Sequence, residues 1–550
     1  MNESLNFIEE IIENDIRNQV YHEGIATRFP PEPNGYLHLG HAKSICLNFG
    51  LALKYNGSFN LRYDDTNPER ENSNYTEAIK KDIMWLGFKW DNEHYTSDYF
   101  ETLHGFAITL IKRGLAYVDD SSSEDIARQK GTPRIPGIAN QYRGRSIDEN
   151  LRFFEAMKLG QYGDGEKVLR AKIDMSAENM LMRDPVMYRI KHTPHYRTGK
   201  AWCIYPMYDF AHGQSDAIEH ISHSTCTLEF LAHRQLYNWF ITKLELYPSK
   251  QIEFARLNLA YTIMSKRKLQ YLVENKLVDG WDDPRLPTIA GLRRRGYTPN
   301  AIRDFCKRIG VAKRNAITDY NLLEFCVRED LNQSAQRRIA VLRPLKVIIT
   351  NYDKTVTEYV KMENVPGDQS KGIRELPFGE ELWIEQEDFM EHPTKNFFRL
   401  SPGGMVRLKG AYIIRCEHIV KDQNGHVTEL HCTYLPETKS GNDQSKIKVK
   451  STIHWLSIHH AIPAEIRLYD KLFNVEDPNQ SDDHFADHLN RDSLQVLQNA
   501  YVEKDLSTED QSGEHFQFIR LGYFIKDKNS NADHLIFNRT VDLKNRWKKA

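Results

Sequence analysis

Two short runs in this chain carry residue types suited to phosphate chemistry. His38-Leu39-Gly40-His41 lies where the apolar segment GIATRF has passed through the turn PPEPNG and a helical pattern begins. A helix N-terminus offers unpaired backbone N–H groups and the positive end of its dipole, a natural place for phosphate. Gly40 lets a flat ring approach the backbone, and two imidazoles can donate hydrogen bonds to oxygens that gain charge in a transition state. Further along, Met264-Ser265-Lys266-Arg267-Lys268 supplies cations on what reads as a mobile loop, suited to neutralising a polyphosphate. Asp64, at the end of an alternating run, can hold an ammonium by a charge-assisted hydrogen bond. Each run alone also fits something plainer: a surface or metal-binding histidine pair, a solvated basic loop, a turn or helix cap.

The elements that must position these groups follow from periodicity. Leu39, Ala42, Cys46, Phe49 and Leu53 are spaced as one face of a helix, and Phe59, Leu61 and Tyr63 alternate as a strand. Tyr75, Ile79, Ile83 and Leu86 mark a second helix. Strand, helix, strand, helix predicts a parallel α/β sheet, with ligands at the carboxyl ends of its strands. The pattern loosens over 99–207 into an α+β insertion, and a second α/β stretch covers 208–257. Residues 258–335 read as helical, with Leu292, Ile302, Phe305 and Leu322 as buried positions. From 336 to 550 the period becomes that of strands (KVIITNY, ELWIEQEDF, GAYIIRCEHIV, HVTELHCTYL, STIHWLSI), with Asn424-Gly425 as a hairpin signal. These runs predict β-barrels, the distal one over roughly 349–454.

Composition bounds the rest. The chain has 550 residues, 40% hydrophobic and 27% charged, which is globular and excludes disordered or fibrous classes. Seven cysteines without a Cys-x-x-Cys pair exclude a disulfide scaffold and predict a reduced, cytoplasmic setting with no structural zinc. No apolar run approaches the roughly 20 residues of a membrane span, and the acidic N-terminus lacks the form of a signal peptide. The net charge of −2 hides a local excess: residues 291–346 hold 13 Lys/Arg against 5 Asp/Glu, the footprint expected of a phosphate backbone partner.

FPPEPNGYLHLGHAKSICLNFG and YTIMSKRKL resemble the two signature motifs of class I aminoacyl-tRNA synthetases. With LRYDDTNPER, WCIYPMYDF, HSTCTLEF and GWDDPRLPT, the chain resembles the bacterial glutaminyl-tRNA synthetase family over essentially its whole length. The resemblance implies a Rossmann-type catalytic domain (22–98 and 208–257) with an acceptor-end-binding insertion, a helical subdomain and two C-terminal antiparallel β-barrels that read the anticodon. It implies ATP with Mg²⁺, L-glutamine and tRNA(Gln) as partners, and a monomer. It gives His38, His41 and Lys266 catalytic roles. Around ATP it places Glu32, Pro33, Asn34, Gly40, Ala42, Lys43, Ser44, Arg256, Leu257, Met264 and Ser265. Around glutamine it places Asp64, Tyr208, His212 and Cys226, and on the tRNA Lys313, Arg337, Arg399, Arg407 and Arg520.

Glutamyl-tRNA synthetases with barrels share these motifs. Holding glutamate's γ-carboxylate in a closed site calls for a cation. The resembling glutamate enzymes carry arginine where this chain has Cys226, whose thiol brings no charge, and that favours glutamine. Three positions depart from the resembling family: Asn396 replaces a glutamine, Lys409 an arginine with its bidentate fork, and Leu231-Ala232-His233 a stretch with an aspartate facing the acceptor stem.

Overall fold

The computed structural model describes residues 4–480, 484–507 and 513–544; the last six residues of the predicted barrel stretch lie outside them. The chain divides into two compact units, Met1–Asn258 with Cys306–Thr318, and Leu259–Phe305 with Asp319–Ala550. The section read as one helical stretch, 258–335, is therefore shared between them.

The first unit begins with helix α1 (Phe7–Arg17), whose Asn6 and Glu9 form a capping box. Its Ile8 and Ile12 are fully buried against Ile25, Leu51, Ile252 and Phe254. Strand β1 (Ala26–Phe29), helix α2 (Leu39–Lys54), strand β2 (Ser58–Tyr63), helix α3 (Ser73–Trp85) and strand β3 (Asn92–Tyr95) follow, the three strands paired in parallel. Five of the six residues of β2 are buried, as in a parallel sheet covered on both faces. On α2 the buried residues include Leu39, Ala42, Ile45, Asn48, Leu51 and Ala52, while Leu53 is 69% exposed. The predicted face through Cys46, Phe49 and Leu53 is thus rotated, because α2 turns its 42–45–48–52 edge to the sheet. Phe49 keeps a lesser contact with the rings of Phe59 and Phe88.

The insertion contributes α4 (Phe100–Lys112), β4 (Ala116–Asp119), α5 (Ser123–Gln129), α6 (Ile147–Lys158), β5 (Val168–Ala171), β6 (Val186–Ile190) and β7 (Ile204–Pro206). Its four strands form one antiparallel sheet. Helix α7 (Tyr208–Ile218), strand β8 (His223–Thr227), helix α8 (Arg234–Leu244) and strand β9 (Lys250–Phe254) complete the unit. β8 and β9 are parallel, and β8 joins the first sheet where Ser222 bonds both backbone polar groups of Ala26. Phe210, Ala211, Leu236 and Phe240 of α7 and α8 share one apolar core with Leu103, Leu110 and Met157 of the insertion. The insertion therefore has no core of its own.

In the second unit, helix α9 (Lys266–Glu274) packs Leu269 and Leu272 on Leu472, Phe473 and Phe485. Of the predicted buried positions, Leu292, Ile302 and Phe305 are buried, but Leu323 takes the place expected of Leu322. Two seven-stranded sheets follow. The edge strands of one, Gln336–Arg338 and Ala340–Val341, are one residue apart in the chain, and those of the other, Thr452–Ile453 and Leu456–Ser457, flank only His454 and Trp455. Both sheets therefore curl toward barrel form, one nearly closed and the other a half-barrel. The pairing is mainly antiparallel, with parallel neighbours such as Pro344–Ile349 beside Val427–Leu435. Asn424-Gly425 does turn the hairpin between Ile413–Lys421 and Val427–Leu435. Trp455 is fully buried at one seam, its indole N–H donating to the Lys409 carbonyl at 3.0 Å. Trp455→Ala is expected to cost about 3–5 kcal/mol, read as a fall in the urea midpoint of the barrel transition.

Candidate active site and RNA-contacting arginines

The two signature histidines form the cap of α2. His38, in extended backbone geometry, is the N-cap; its Nδ1 accepts from the Gly40 N–H, and Nδ1 of His41 accepts from the His38 N–H, both at 3.1 Å. The rings stack at 3.8 Å. An Nδ1 that accepts a backbone proton leaves the neutral ring its own proton on Nε2. Both histidines are thus fixed in the tautomer whose Nε2–H is the donor. Removal from water, with His41 adding to the effect, holds the His38 pKa well below the usual value, and burial lowers His41 to about 4. Two neutral donors, rather than two cations, stand at this helix N-terminus.

Around them the predicted nucleotide residues divide. The side chains of Glu32 and Asn34 bond each other in the turn before α2, and Pro33 is buried. Lys43, predicted as an ATP ligand, is 7% exposed and donates to the Ala255 carbonyl at 2.8 Å. It ties α2 to the end of β9, and its apolar surroundings lower its pKa. Ala42 and Leu257 are buried and bring only backbone atoms, while the Ser44 carbonyl is taken by Asn48. Arg256 is exposed and bonds Glu229 and Asn258.

Lys266 belongs to the second unit, where Ser265 stands at the N-terminal boundary of α9 without a side-chain capping bond and Lys266 is the helix's first residue. The expected mobile loop is therefore anchored: Ile263 and Leu269 are buried, Lys268 bonds Asn479, and Ser265, Lys266 and Arg267 stay exposed.

The predicted glutamine residues lie on a buried charge network that the sequence did not announce. Arg28 of β1 and Arg62 of β2 are both fully buried. Arg28 donates from Nε and Nη2 to the two oxygens of Asp216 on α7, at 3.1 and 3.3 Å, and from Nη1 to the Thr225 carbonyl at 2.8 Å. Arg62 donates to Asp216 at 2.8 Å and to Asp64 at 2.9 Å. Asp216 also accepts from Ser224 and Tyr237. Burial acts to raise its pKa, but Arg28 and Arg62 outweigh that and keep it far below the carboxylate range. In Asp64 the same opposition, settled by Arg62 and then His212, leaves a lowered pKa. Burial instead raises Glu219, beside Arg62, to about 7.

His212 joins the network. Arg28 Nη2 lies 3.0 Å from its Nε2, and Arg62 Nη2 and the Asp64 carboxylate lie 3.3 and 3.4 Å from its Nδ1. Tyr208 stacks on His212 at 4.9 Å, and burial keeps its phenol protonated. Burial lifts the Cys226 thiol to about 12, so it stays neutral. This corrects part of the case for glutamine. Position 226 carries no cation, but Arg28 lies one residue away at Thr225, and it is committed to Asp216. The missed signal was charge at buried strand positions, Arg28 in ATRF and Arg62 in SFNLRY.

The arginines predicted to touch RNA are mostly held by partners. The Lys313 ammonium sits 4.9 Å from the Phe7 ring in the first unit. Arg337 bonds the Ala335 and Asn332 carbonyls, and Arg407 bonds Thr438 and Asp443. Arg399 and Arg520 meet on Asp388. Part of the basic excess over 291–346 is internal: Arg295 is buried, Arg294 pairs with Asp527, Arg328 with Asp542 and Arg338 with Asp505, while Lys307, Arg308, Lys313 and Arg314 are exposed. Of the departing stretch, Leu231 is 52% exposed, the Ala232 carbonyl accepts from Asn179, and His233 bonds Asp209. Among the described residues no His, Cys, Asp and Glu group is placed to hold a metal, and no helix is long and apolar enough to cross a membrane.

This chain belongs to the tRNA synthetases class I (E and Q): the catalytic-domain model of that family matches residues 24–333. Its anti-codon binding domain models match 335–435 and 452–527. Two similar curated relatives bear one name. "Glutamine--tRNA ligase" of Clostridium kluyveri is 54% identical over 550 residues, covering 100% of this chain and 98% of the relative. That of Bradyrhizobium diazoefficiens is 55% identical over 546 residues, covering 99% and 97%. A solved glutamate tRNA ligase from Elizabethkingia meningosepticum covers 56% of this chain and 70% of its own at 16% identity and TM-score 0.44, too slight a likeness to bear on the substrate.

Asp216→Asn leaves two buried guanidiniums short of a counter-charge and is expected to lower stability by about 3–5 kcal/mol in urea unfolding. A second expectation concerns pH. The unfolded imidazole protonates near 6.5, but folded His41 resists until about 4. Folding is therefore penalised as pH falls through that window. His41→Asn should show a smaller loss of stability between pH 7 and pH 5 than the wild type, in parallel urea titrations.

Proposed function

We propose that this chain is a glutamine–tRNA ligase: it activates L-glutamine with ATP to glutaminyl-adenylate and transfers the glutaminyl group to the 3′-terminal adenosine of tRNA(Gln). The observation that carries the reading is the paired cap of α2, two imidazoles locked with Nε2–H as donor at a helix N-terminus. Activation is in-line attack of a carboxylate on the α-phosphate, so the protein needs positioning and charge stabilisation rather than a base. Neutral donors suit that task, since they strengthen as the phosphoryl oxygens gain charge and hold no permanent ion pair with the ground state. The resemblance gives a charge-stabilising role to Lys266 as well, whose ammonium carries a full positive charge, and Mg²⁺ arrives with ATP. Both motifs, HLGH and MSKRK, are intact, which favours a working enzyme over an inactive tRNA-binding relative.

Glutamine rather than glutamate fits the charge network. Both guanidiniums beside the pocket are spent on Asp216 and Asp64, so a γ-carboxylate would enter without a free counter-ion, whereas an amide needs neutral partners such as Tyr208. Anticodon reading falls to the barrels, through Arg337, Arg399, Arg407 and Arg520, with Lys313 on the first unit. The setting is the cytoplasm, and the working form is a monomer.

Purified protein should charge tRNA(Gln) with labelled glutamine and leave glutamate uncharged; the reverse preference would overturn the assignment. Lys266→Ala should slow the chemical step by about 10²-fold or more in single-turnover assays.

A further inference from the structure

Asp388 lies in the short turn that follows strand Glu381–Glu385 and is 1% exposed. Both Arg520 Nη atoms donate to it, one to each oxygen at 2.7 Å, and Arg399 donates to Oδ1 at 3.2 Å. The two arginines come from different barrels, and their side chains are 32% and 36% exposed, so both also face solvent. Arg520 sits at φ +70°, a left-handed conformation costly for a residue with a side chain, in the tight turn where Leu521 bonds Phe518. That strain persists because Asp388 and His454, whose Nδ1 lies 3.2 Å from Arg520, fix the guanidinium. Beside the pair, Arg399 rests on the Phe397 ring, and Phe398 is 46% exposed with Lys450 over its face. An exposed aromatic among cations is a platform for an unstacked base.

We propose that Asp388 sets how much of the Arg399 and Arg520 charge the barrels offer to RNA, and so makes Asp388 a specificity-determining residue. The proposal rests on the reading of the chain as a tRNA-binding synthetase. A guanidinium held bidentately by a buried carboxylate keeps its outward N–H groups in a fixed direction while losing most of its long-range attraction for phosphate. It then rewards a base edge in the right place and gives little to an arbitrary backbone. Without the carboxylate, the two guanidiniums repel each other, turn to solvent and bind phosphates of any sequence.

The test uses the full chain and two transcripts, a tRNA(Gln) and the same tRNA with its anticodon bases replaced. Dissociation constants are measured across a salt series. For Asp388→Asn the slope of log K against log salt should steepen by about 0.7 or more, the value of one further single-strand phosphate contact. The affinity gap between the transcripts should narrow. An unchanged or shallower slope in a protein that still melts cooperatively would overturn the proposal. A destabilised barrel alone would weaken both transcripts without steepening the slope. The solvent-facing variants Arg399→Gln, Arg520→Gln and their double serve where Asp388→Asn does not fold. Through their shared carboxylate the two losses should depart from additivity by more than about twofold, and additive losses would overturn the proposal too. If the wild type fails to charge either transcript, it is the synthetase reading that falls.

Discussion

The carboxylate of Asp216, set between two guanidiniums in the middle of a parallel sheet, is the interaction on which the first unit depends. Arg28 and Arg62 stand on neighbouring strands at positions where the sheet is covered on both faces, so neither charge can reach water. Burying two such cations is expensive unless the geometry supplies their counter-ions. Asp216 serves both, from a helix more than 150 residues further along, and Asp64 and His212 complete the set. The network thereby fixes α7 against β1 and β2, with Tyr208 at the head of α7 and Asp64 at the end of β2. The fold and the placement of Asp64 and Tyr208 are held by the same bonds.

The cap of α2 shows a similar economy. His38 and His41 satisfy backbone N–H groups at the helix start, a structural task, and that task decides which ring nitrogen keeps its proton. The same bonds leave the ring proton on Nε2 in both. Burial adds the second condition, neutrality at working pH. Lys43, one turn further on, is drawn the other way: its ammonium is spent on the Ala255 carbonyl and holds β9 to the helix. Adjacent positions in one motif thus divide between capping the helix and anchoring a strand to it.

Much was legible in the sequence. The alternation of strands and helices, the insertion, the change of period near 336 and the hairpin at Asn424-Gly425 all follow from spacing and turn residues, and the motifs located the helix that bears the histidines. Three things were not legible. The buried face of α2 came out rotated, because Phe49 and Leu53 fit a helical stripe as well as Ile45 and Ala52 do, and only the sheet beneath selects between them. The basic run over 291–346 read as one stripe of charge, yet within it Arg294, Arg328 and Arg338 pair with Asp527, Asp542 and Asp505, acidic residues more than 160 positions away. The cation beside Thr225 and Cys226 was missed because it is supplied by Arg28, nearly 200 residues from Cys226.

The sequence by itself determined the periodic elements, the helix-cap chemistry and the residue types at each motif, since these depend on neighbours within a few positions. Tertiary structure decided which charges remain available. Whether an arginine meets a phosphate, a substrate carboxylate or a buried aspartate depends on what chain folding brings within about 3 Å, and in a medium that excludes water that proximity sets the charge each group can present.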